Sequence, residues 1–189
     1  PRYFVTNTGN ANAGTGEQGL LDATSICSSL ASLAGVDIDA VLPFSTGVIG
    51  ELMPMEKIRA ALPGAFNNLN ESGWEEAAKG ILTTDTRPKG SSVRFGDDNP
   101  ITITGIAKGS GMIKPNMATM LAYVSTDASV DQELLHSALV RANERSFNRI
   151  TVDSDTSTND SVVLVATGTS GITIDENSFD EFVEHLTNT

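Results

Sequence analysis

The 189-residue sequence has little positive charge: 12 Lys and Arg stand against 24 Asp and Glu, for a formal net charge of −12. Nucleic acids and anionic membrane surfaces are bound by clustered Lys and Arg, which this composition does not supply. We therefore expect neither a nucleic acid nor a membrane as a partner.

Long apolar runs are also missing. A membrane-spanning helix needs roughly 20 consecutive apolar residues, whereas the longest candidates here are residues 117–124 and 162–166. Hydrophobic residues still make up 39% of the chain, enough to form the core of one domain or of two small ones.

Cysteine occurs once, as Cys27, which excludes a disulfide within the chain. It lies in an apolar helical stripe, so the pattern indicates a buried small hydrophobic residue instead of a reactive thiol. A lone thiol is compatible with a reducing compartment, and we expect a cytoplasmic protein.

Histidine is scarce, and His136 and His185 lie on predicted helices without a Ser, a Cys or a second His at catalytic or ligand spacing. The stretch that starts at Asp153 has the alternating oxygen side chains of a calcium loop. Its sixth position is Thr158 instead of Gly and its twelfth is Leu164 instead of Glu. We expect no metal and no cofactor, and we interpret residues 153–160 as a turn with short capping side chains.

Hydrophobic periodicity predicts five helices and six strands. The helices are expected at residues 17–33, 54–62, 74–82, 131–148 and 177–186, and the strands at 2–6, 40–44, 91–95, 101–107, 118–125 and 161–167. Leu20 and Leu21 belong to the apolar face of the first helix, which Gly35 should end, and Pro63 with Gly64 should end the second. This alternation favours an α/β fold around a mixed sheet, with a hairpin formed by the third and fourth strands.

Residues 108–120 are rich in glycine and lead into a β-prone run that contains Thr119. A threonine at the start of a strand suits an enzyme that cleaves its own chain, because its hydroxyl attacks the preceding carbonyl and frees its own α-amine. That amine has a pKa of about 7.7–8.0 and serves as the base for the hydroxyl. The residue types alone leave open that the threonine is only a β-former.

Seven blocks of sequence occur in an order typical of one enzyme family. They are residues 7–19 (NTGNANA with GEQG), 45–50 (STGVIG), 83–86 (TTDT), 108–113 (KGSGMI), 115–120 (PNMATM), 126–128 (TDA) and 157–160 (STND). The chain thereby resembles, over nearly its whole length, the bifunctional ornithine acetyltransferases (glutamate N-acetyltransferases) of arginine biosynthesis.

The resemblance implies a self-processing N-terminal-nucleophile fold, with a layered α-β-β-α-like arrangement around mixed and antiparallel sheets. It implies a precursor cut between Ala118 and Thr119, which leaves Thr119 as the nucleophile. Thr46 and Gly47 would form the oxyanion hole, a role that suits a strand end whose glycine permits close approach. Thr83 and Lys108 would bind substrate together with Thr119, and Lys108 offers the cation that an amino-acid carboxylate requires.

The implied reaction moves an acetyl group from N-acetylornithine to glutamate through an acetyl ester on Thr119, with no cofactor or metal. Some members of the family also use acetyl-CoA as the donor. The implied protein partner is the other chain of the processed precursor, in a heterotetramer.

Family members are much longer than this sequence. We therefore expect residues 1–189 to be a single catalytic-domain fragment that spans the cleavage site and lacks an N-terminal segment and the C-terminal half. Two alternatives stay open: an aminopeptidase-like hydrolase with a threonine nucleophile, in which water receives the acyl group, and an inactive fragment of the transferase.

Overall fold

The structure is a computed structural model that describes residues 1–113, 120–153 and 155–189. The chain folds as two compact units, Pro1–Thr83 and Thr84–Thr189. Each unit combines helices with a sheet, which is parallel in the first unit and mixed in the second. The predicted α/β class with mixed and antiparallel strand pairing is confirmed.

The first unit is built on two parallel strands. Strand β1 (Tyr3–Asn10) pairs with β2 (Val41–Val48), and helix α1 (Gly16–Ala34) with the short 3-10 helix Ile38–Ala40 forms the crossover that parallel strands require. Helix α1 ends at Gly35 as predicted, because the left-handed φ of 66° at this residue suits glycine.

The core of the first unit forms where α1 faces the sheet and the next helix. It consists of Ile26, Cys27, Leu30, Ala31, Val41, Met53 and Leu62. The burial of Cys27 is confirmed, and it raises the pKa of the thiol. Leu20, Leu21 and Leu33 are exposed, so the apolar face predicted for α1 is buried only from Ile26 to Ala31.

The predicted end of the second helix at Pro63 is wrong. Helix α2 (Met55–Asn67) runs through Pro63 for one more turn. Proline removes one helical hydrogen bond, but Leu62 is buried in the core and the Phe66 ring packs 6.0 Å from the Tyr3 ring. Tertiary packing on both sides of the proline therefore overrides the local signal. A third helix, α3 (Trp74–Gly80), follows.

The first predicted strand also extends further than its sequence indicated. Residues 7–10 were expected to begin a loop, yet they continue β1 because they pair with residues 45–48 of β2. The two-stranded ladder thus reaches Gly47, one of the predicted site residues.

A four-stranded mixed sheet forms the centre of the second unit. The order of neighbouring strands in this sheet is β3 (Lys89–Phe95), β4 (Ile101–Lys108), β5 (Leu121–Thr126) and β7 (Ser161–Ala166). A short strand that follows β5 in the chain belongs to another sheet. The first two pairs are antiparallel, which confirms the predicted hairpin, and β5 pairs with β7 in parallel.

Helix α4 (Gln132–Arg145) forms the crossover between β5 and β7. It is capped by the Asp131 carboxylate, which accepts a hydrogen bond of 2.9 Å from the Glu133 N–H. The short strands β6 (Ser129–Val130) and β8 (Thr173–Ile174) pair in parallel. Two residues give no readable periodicity, so the sequence did not predict these strands.

The core of the second unit lies between the sheet and the helices α4 and α5 (Phe179–Asn188). It consists of Ile101, Ile103, Ala128, Ala138, Ala142, Leu164, Ile174, Phe182, Val183 and Leu186. Phe182, Val183 and Ile103 are fully buried. This packing supports the strands of the second unit, and Lys108, one of the predicted site residues, is the last residue of β4.

Candidate active site

Lys108 is the last residue of β4, and only 8% of its surface is exposed. It lies opposite Leu121, the first residue of β5. Burial lowers the pKa of its ammonium group. The carboxylates of Asp85 and Asp160 favour the charged form, and Lys89 opposes it. The end of β4 therefore holds a buried cation whose charge two nearby carboxylates favour.

Asp85 connects the loop after the first unit to the end of β4. Its side chain is fully buried, forms an ion pair with Lys89 and accepts a hydrogen bond of 2.8 Å from the Gly109 N–H. Lys89 also donates to the Gly109 carbonyl at 3.0 Å, and the hydroxyls of Thr84 and Ser110 lie 2.6 Å apart. These bonds fix the backbone that directly follows Lys108.

Asp160 lies just before β7. Burial raises the pKa of its carboxyl group to about 6, against the opposing effects of the Lys108 ammonium and of hydrogen bonds from the Met120 N–H and the Ser157 side chain. Its Oδ2 atom is buried without a hydrogen-bond partner in the described part of the chain. Asp160 therefore holds a proton more readily than an ordinary aspartate does.

Asp153 binds the last two residues of the KGSGMI block. Its two carboxylate oxygens accept hydrogen bonds from the N–H groups of Met112, at 2.5 Å, and Ile113, at 2.9 Å. These bonds lower its pKa. They also stabilise Met112 at a φ of 57°, which is uncommon for a residue with a side chain. The Val152 N–H adds a bond of 2.9 Å to the Ile113 carbonyl.

Thr46 and Gly47 lie side by side near the end of β2, opposite Thr8 and Gly9 of β1. Thr46 is buried. Gly47 has a φ of 135°, and a Cβ atom there would lie 2.2 Å from the carbonyl carbon of Gly9. Glycine is thus required by the close approach of the two backbones. Thr8 is itself held by a bond of 2.7 Å from its hydroxyl to the Gly80 carbonyl.

The structure describes four of the predicted site residues, and they fall in two different units. Thr46 and Gly47 are adjacent in the first unit, and Thr83 is the exposed last residue of that unit. Lys108 lies in the second unit. Ala118 and Thr119, the predicted cleavage site, lie outside the described residues.

Three acidic residues around the site were missed by sequence reasoning: Asp85, Asp153 and Asp160. Asp85 and Asp160 fall inside the TTDT and STND blocks, which was the only signal available for them. Asp153 was interpreted as a local turn or cap residue. Its carboxylate does bind backbone N–H groups, but these lie about 40 positions earlier in the chain.

Within residues 1–113, 120–153 and 155–189, no group of three or more His, Cys, Asp or Glu side chains is placed to hold a metal ion. In the same ranges, no helix is both long and apolar enough to cross a membrane.

Comparison with known proteins links this arrangement to solved structures. The crystal structure of the arginine biosynthesis bifunctional protein ArgJ from Bacillus halodurans aligns with a TM-score of 0.54 and 38% identity, over 61% of each chain. The ornithine acetyltransferase from Mycobacterium tuberculosis, crystallised with ornithine, aligns with a TM-score of 0.57 and 32% identity, over 60% of this chain and 61% of that one. The chain therefore shares the α/β fold of these proteins.

Sequence relatives identify the family. The family model described as ArgJ family matches residues 1–189, so the chain belongs to the ArgJ family. The arginine biosynthesis bifunctional proteins ArgJ of Pseudomonas fluorescens and Methylococcus capsulatus are 58% and 60% identical over 168 and 167 residues. These matches cover 88% of this chain but 42% and 41% of the relatives, so the chain spans less than half of their length.

Proposed function

We propose that this chain provides part of a self-cleaving acetyltransferase that moves an acetyl group from N-acetylornithine to glutamate in arginine biosynthesis. The main supporting observation is that Lys108 is buried opposite Leu121, the first residue of β5, with the half-buried carboxylate of Asp160 among its charged neighbours. Thr119, the proposed nucleophile, directly precedes Met120, whose N–H binds Asp160. Membership in the ArgJ family supports the reaction class.

The proposed activation is an internal acyl shift. The Thr119 hydroxyl attacks the Ala118 carbonyl, the peptide C–N bond breaks, and the Thr119 nitrogen takes up the proton from the hydroxyl. Water then hydrolyses the ester, so that Ala118 ends in a carboxylate and Thr119 begins with a free α-amine. This amine is the base for the later steps, which explains why no histidine is required.

Acetyl transfer then follows a two-step route. The Thr119 hydroxyl attacks the acetyl carbonyl of N-acetylornithine, ornithine leaves with the proton, and an acetyl ester remains on the enzyme. The amine of glutamate attacks this ester, and the proton returns to Thr119. The Mycobacterium tuberculosis relative was crystallised with ornithine, which supports ornithine as the leaving group here.

The remaining site residues take roles that their environments support. Thr46 and Gly47 would stabilise the oxyanion, because a buried hydroxyl and a backbone N–H on a paired strand are already in place before the transition state. Lys108 would bind the α-carboxylate of the substrate, since a partly desolvated ammonium attracts an anion strongly. Thr83, which is exposed, would contribute a hydroxyl to the same substrate.

The deciding experiment is intact mass and N-terminal sequencing of the full gene product, alongside the variants Thr119→Ala and Thr119→Ser. We expect a new N-terminal threonine in the parent, none in Thr119→Ala, and slower cleavage in Thr119→Ser, which keeps a hydroxyl. Incubation with N-acetylornithine should add one acetyl mass to the fragment that begins at Thr119. An active enzyme without this adduct would refute the covalent route.

Acceptor dependence separates the transferase from the hydrolase alternative. A transferase should consume N-acetylornithine much faster when glutamate is present, whereas an aminopeptidase-like hydrolase should be indifferent to glutamate. The relatives are named bifunctional, so acetyl-CoA should be tested as a second donor in the same assay. A full gene product that cleaves itself but transfers nothing would favour the inactive alternative.

The role of Lys108 is tested by a split between KM and kcat. Lys108→Met should raise the KM for N-acetylornithine by about tenfold or more, because a charge-assisted bond to the carboxylate is lost. Lys57→Met is the matched control, since Lys57 is exposed in the first unit. Equal KM values for the two variants would remove Lys108 from the substrate site.

Assembly and location complete the proposal. The two pieces of the cleaved chain would stay together in a heterotetramer, which light scattering combined with mass analysis of the subunits can test. A cytoplasmic location would suit a chain whose single cysteine is buried and free.

A further inference from the structure

Residues 152–161 bind the chain on both sides of residues 114–119. On the earlier side, Asp153 accepts hydrogen bonds from the N–H groups of Met112 and Ile113, and the Val152 N–H donates to the Ile113 carbonyl at 2.9 Å. Ile113 is therefore held through both its N–H and its carbonyl.

The later side repeats this arrangement. The Met120 N–H donates to the Asp160 carboxylate, and the Ser161 N–H donates to the Met120 carbonyl at 2.9 Å. Met120 is thus also held through both of its backbone groups. The pairing of β5 with β7 begins at the next residue, where Leu121 lies opposite Ser161.

Asp153 and Asp160 lie in one short segment and thus bind the residues on both sides of the six-residue stretch 114–119. Bonds from backbone N–H groups to an ionised carboxylate are stronger than bonds between neutral groups. Each aspartate is paired with a backbone bond from its own sequence neighbour, which fixes the orientation of the bound residue as well as its position. An internal attack on a neighbouring carbonyl depends steeply on such orientation.

We propose that Asp153 and Asp160 are positioning residues for self-cleavage, because they hold Ile113 and Met120 on either side of the stretch that contains the Ala118–Thr119 bond. The inference rests on the proposed function, since it needs Thr119 to cleave the chain. Neither aspartate is assigned a chemical step. The two carboxylates act through the backbone that they bind.

The test measures the rate of cleavage of the full gene product made by cell-free translation. Asp153→Ala and Asp160→Ala should each slow cleavage by about tenfold to a hundredfold, which corresponds to the loss of hydrogen bonds to a charged acceptor. Asp155→Ala is the matched control, because it removes an exposed carboxylate from the same segment, and it should cleave at the parental rate. Asp153→Asn and Asp160→Asn should lie between the parent and the alanine variants, because an amide oxygen still accepts a hydrogen bond.

A second measurement separates positioning from a general loss of stability. In the uncleaved Thr119→Ala background, Asp153→Ala should speed hydrogen exchange at the Met112 and Ile113 amides and leave the β7 amides protected. Unchanged exchange at Met112 and Ile113 would overturn the role of Asp153. The same comparison at the Met120 amide tests Asp160.

The outcomes distinguish this inference from the function on which it rests. A parent that cleaves, with Asp153→Ala and Asp160→Ala cleaving at the rate of Asp155→Ala, overturns the positioning role alone. A parent that stays whole, or a Thr119→Ala variant that still cleaves at this bond, overturns the proposed function together with the inference.

Discussion

The two units differ in how completely they bury their apolar residues. The first unit builds its core on a two-stranded sheet and the second on a four-stranded sheet. In the described residues, large exposed hydrophobic side chains concentrate in the first unit. They are Leu20, Leu21, Leu33, Ile38, Leu42, Val48, Ile49, Leu52 and Leu69, against Met112, Val140, Ile150 and Val152 in the second.

Because of this difference, the predicted site residues of the second unit are supported by a larger core than those of the first unit. Lys108 and the aspartates around it belong to a unit whose sheet is covered by two helices, so their positions are backed by a large core. Thr46 and Gly47 lie on a strand whose only partner in the described chain is β1. We therefore expect core changes in the second unit to have the largest effects, and backbone changes in the first unit to have smaller ones.

The largest effect is expected for Phe182→Ala in the second unit. Phe182 is completely buried between α5 and the sheet, and its truncation should lower the free energy of unfolding by roughly 3–5 kcal/mol. Denaturant unfolding followed by circular dichroism measures this loss. Leu20→Ala, at a position 72% exposed, is the control and should change little. Similar losses for the two variants would contradict the contrast between the units.

The raised pKa of Asp160 should make the stability of the second unit depend on pH. Its pKa of about 6 exceeds the ordinary value of 3.8, so the folded state binds its proton more tightly than the unfolded state does. This contribution to stability is fully present below about pH 4 and is lost as the pH rises through about 6.

The measurement compares unfolding of the parent and of Asp160→Asn between about pH 4 and about pH 7. The parent should lose stability relative to the variant as the pH rises, because only the parent must ionise this half-buried carboxyl group. Lys108, Asp85 and Lys89 are the other charged groups nearby, and they are present in both proteins. Parallel pH curves would show that Asp160 keeps an ordinary pKa.

A backbone clash in the first unit should have an intermediate effect. Gly47→Ala would place a Cβ atom 2.2 Å from the Gly9 carbonyl carbon at a left-handed φ, and we expect a loss of about 1–3 kcal/mol from the resulting strain. The only tryptophan, Trp74, lies in the first unit, so its fluorescence reports this loss during denaturant unfolding. A Gly47→Ala variant as stable as the parent would show that β1 and β2 can move apart freely.

The smallest effect is expected for Gly64→Ala in α2. A Cβ atom there would meet nothing within 4 Å, and alanine is a better helix former than glycine by up to about 1 kcal/mol. The variant should therefore be slightly more stable than the parent by the same fluorescence measurement. A loss of stability would indicate that the last turn of α2 needs the flexibility of glycine beside Pro63.

Several features could be predicted because their causes lie close together in the chain. The helix α1 and its end at Gly35 follow from apolar spacing and from the freedom of glycine. The hairpin of β3 and β4 follows from two β-prone runs around a polar turn. The roles of Thr46, Gly47 and Lys108 stay predictions from the sequence blocks, and the structure adds that Thr46 and Lys108 are buried.

Other features could not be predicted because their causes lie far apart in the chain. Helix α2 passes through Pro63 because Phe66 packs against Tyr3, more than 60 positions away. Asp153 bonds to residues about 40 positions earlier. No local sequence pattern predicts contacts between residues so far apart in the chain.

The sequence by itself determined the types of most elements, the class of fold and the family blocks, because periodicity, turn residues and motifs act over short distances. Only the tertiary structure decided which charges are buried and what they bind. Lys108 and Asp160 are ordinary polar residues in the sequence, and their altered pKa values arise because packing shields Lys108 almost fully and Asp160 in part from water. Desolvation depends on the packing of the whole unit, so no single stretch of the sequence predicts it.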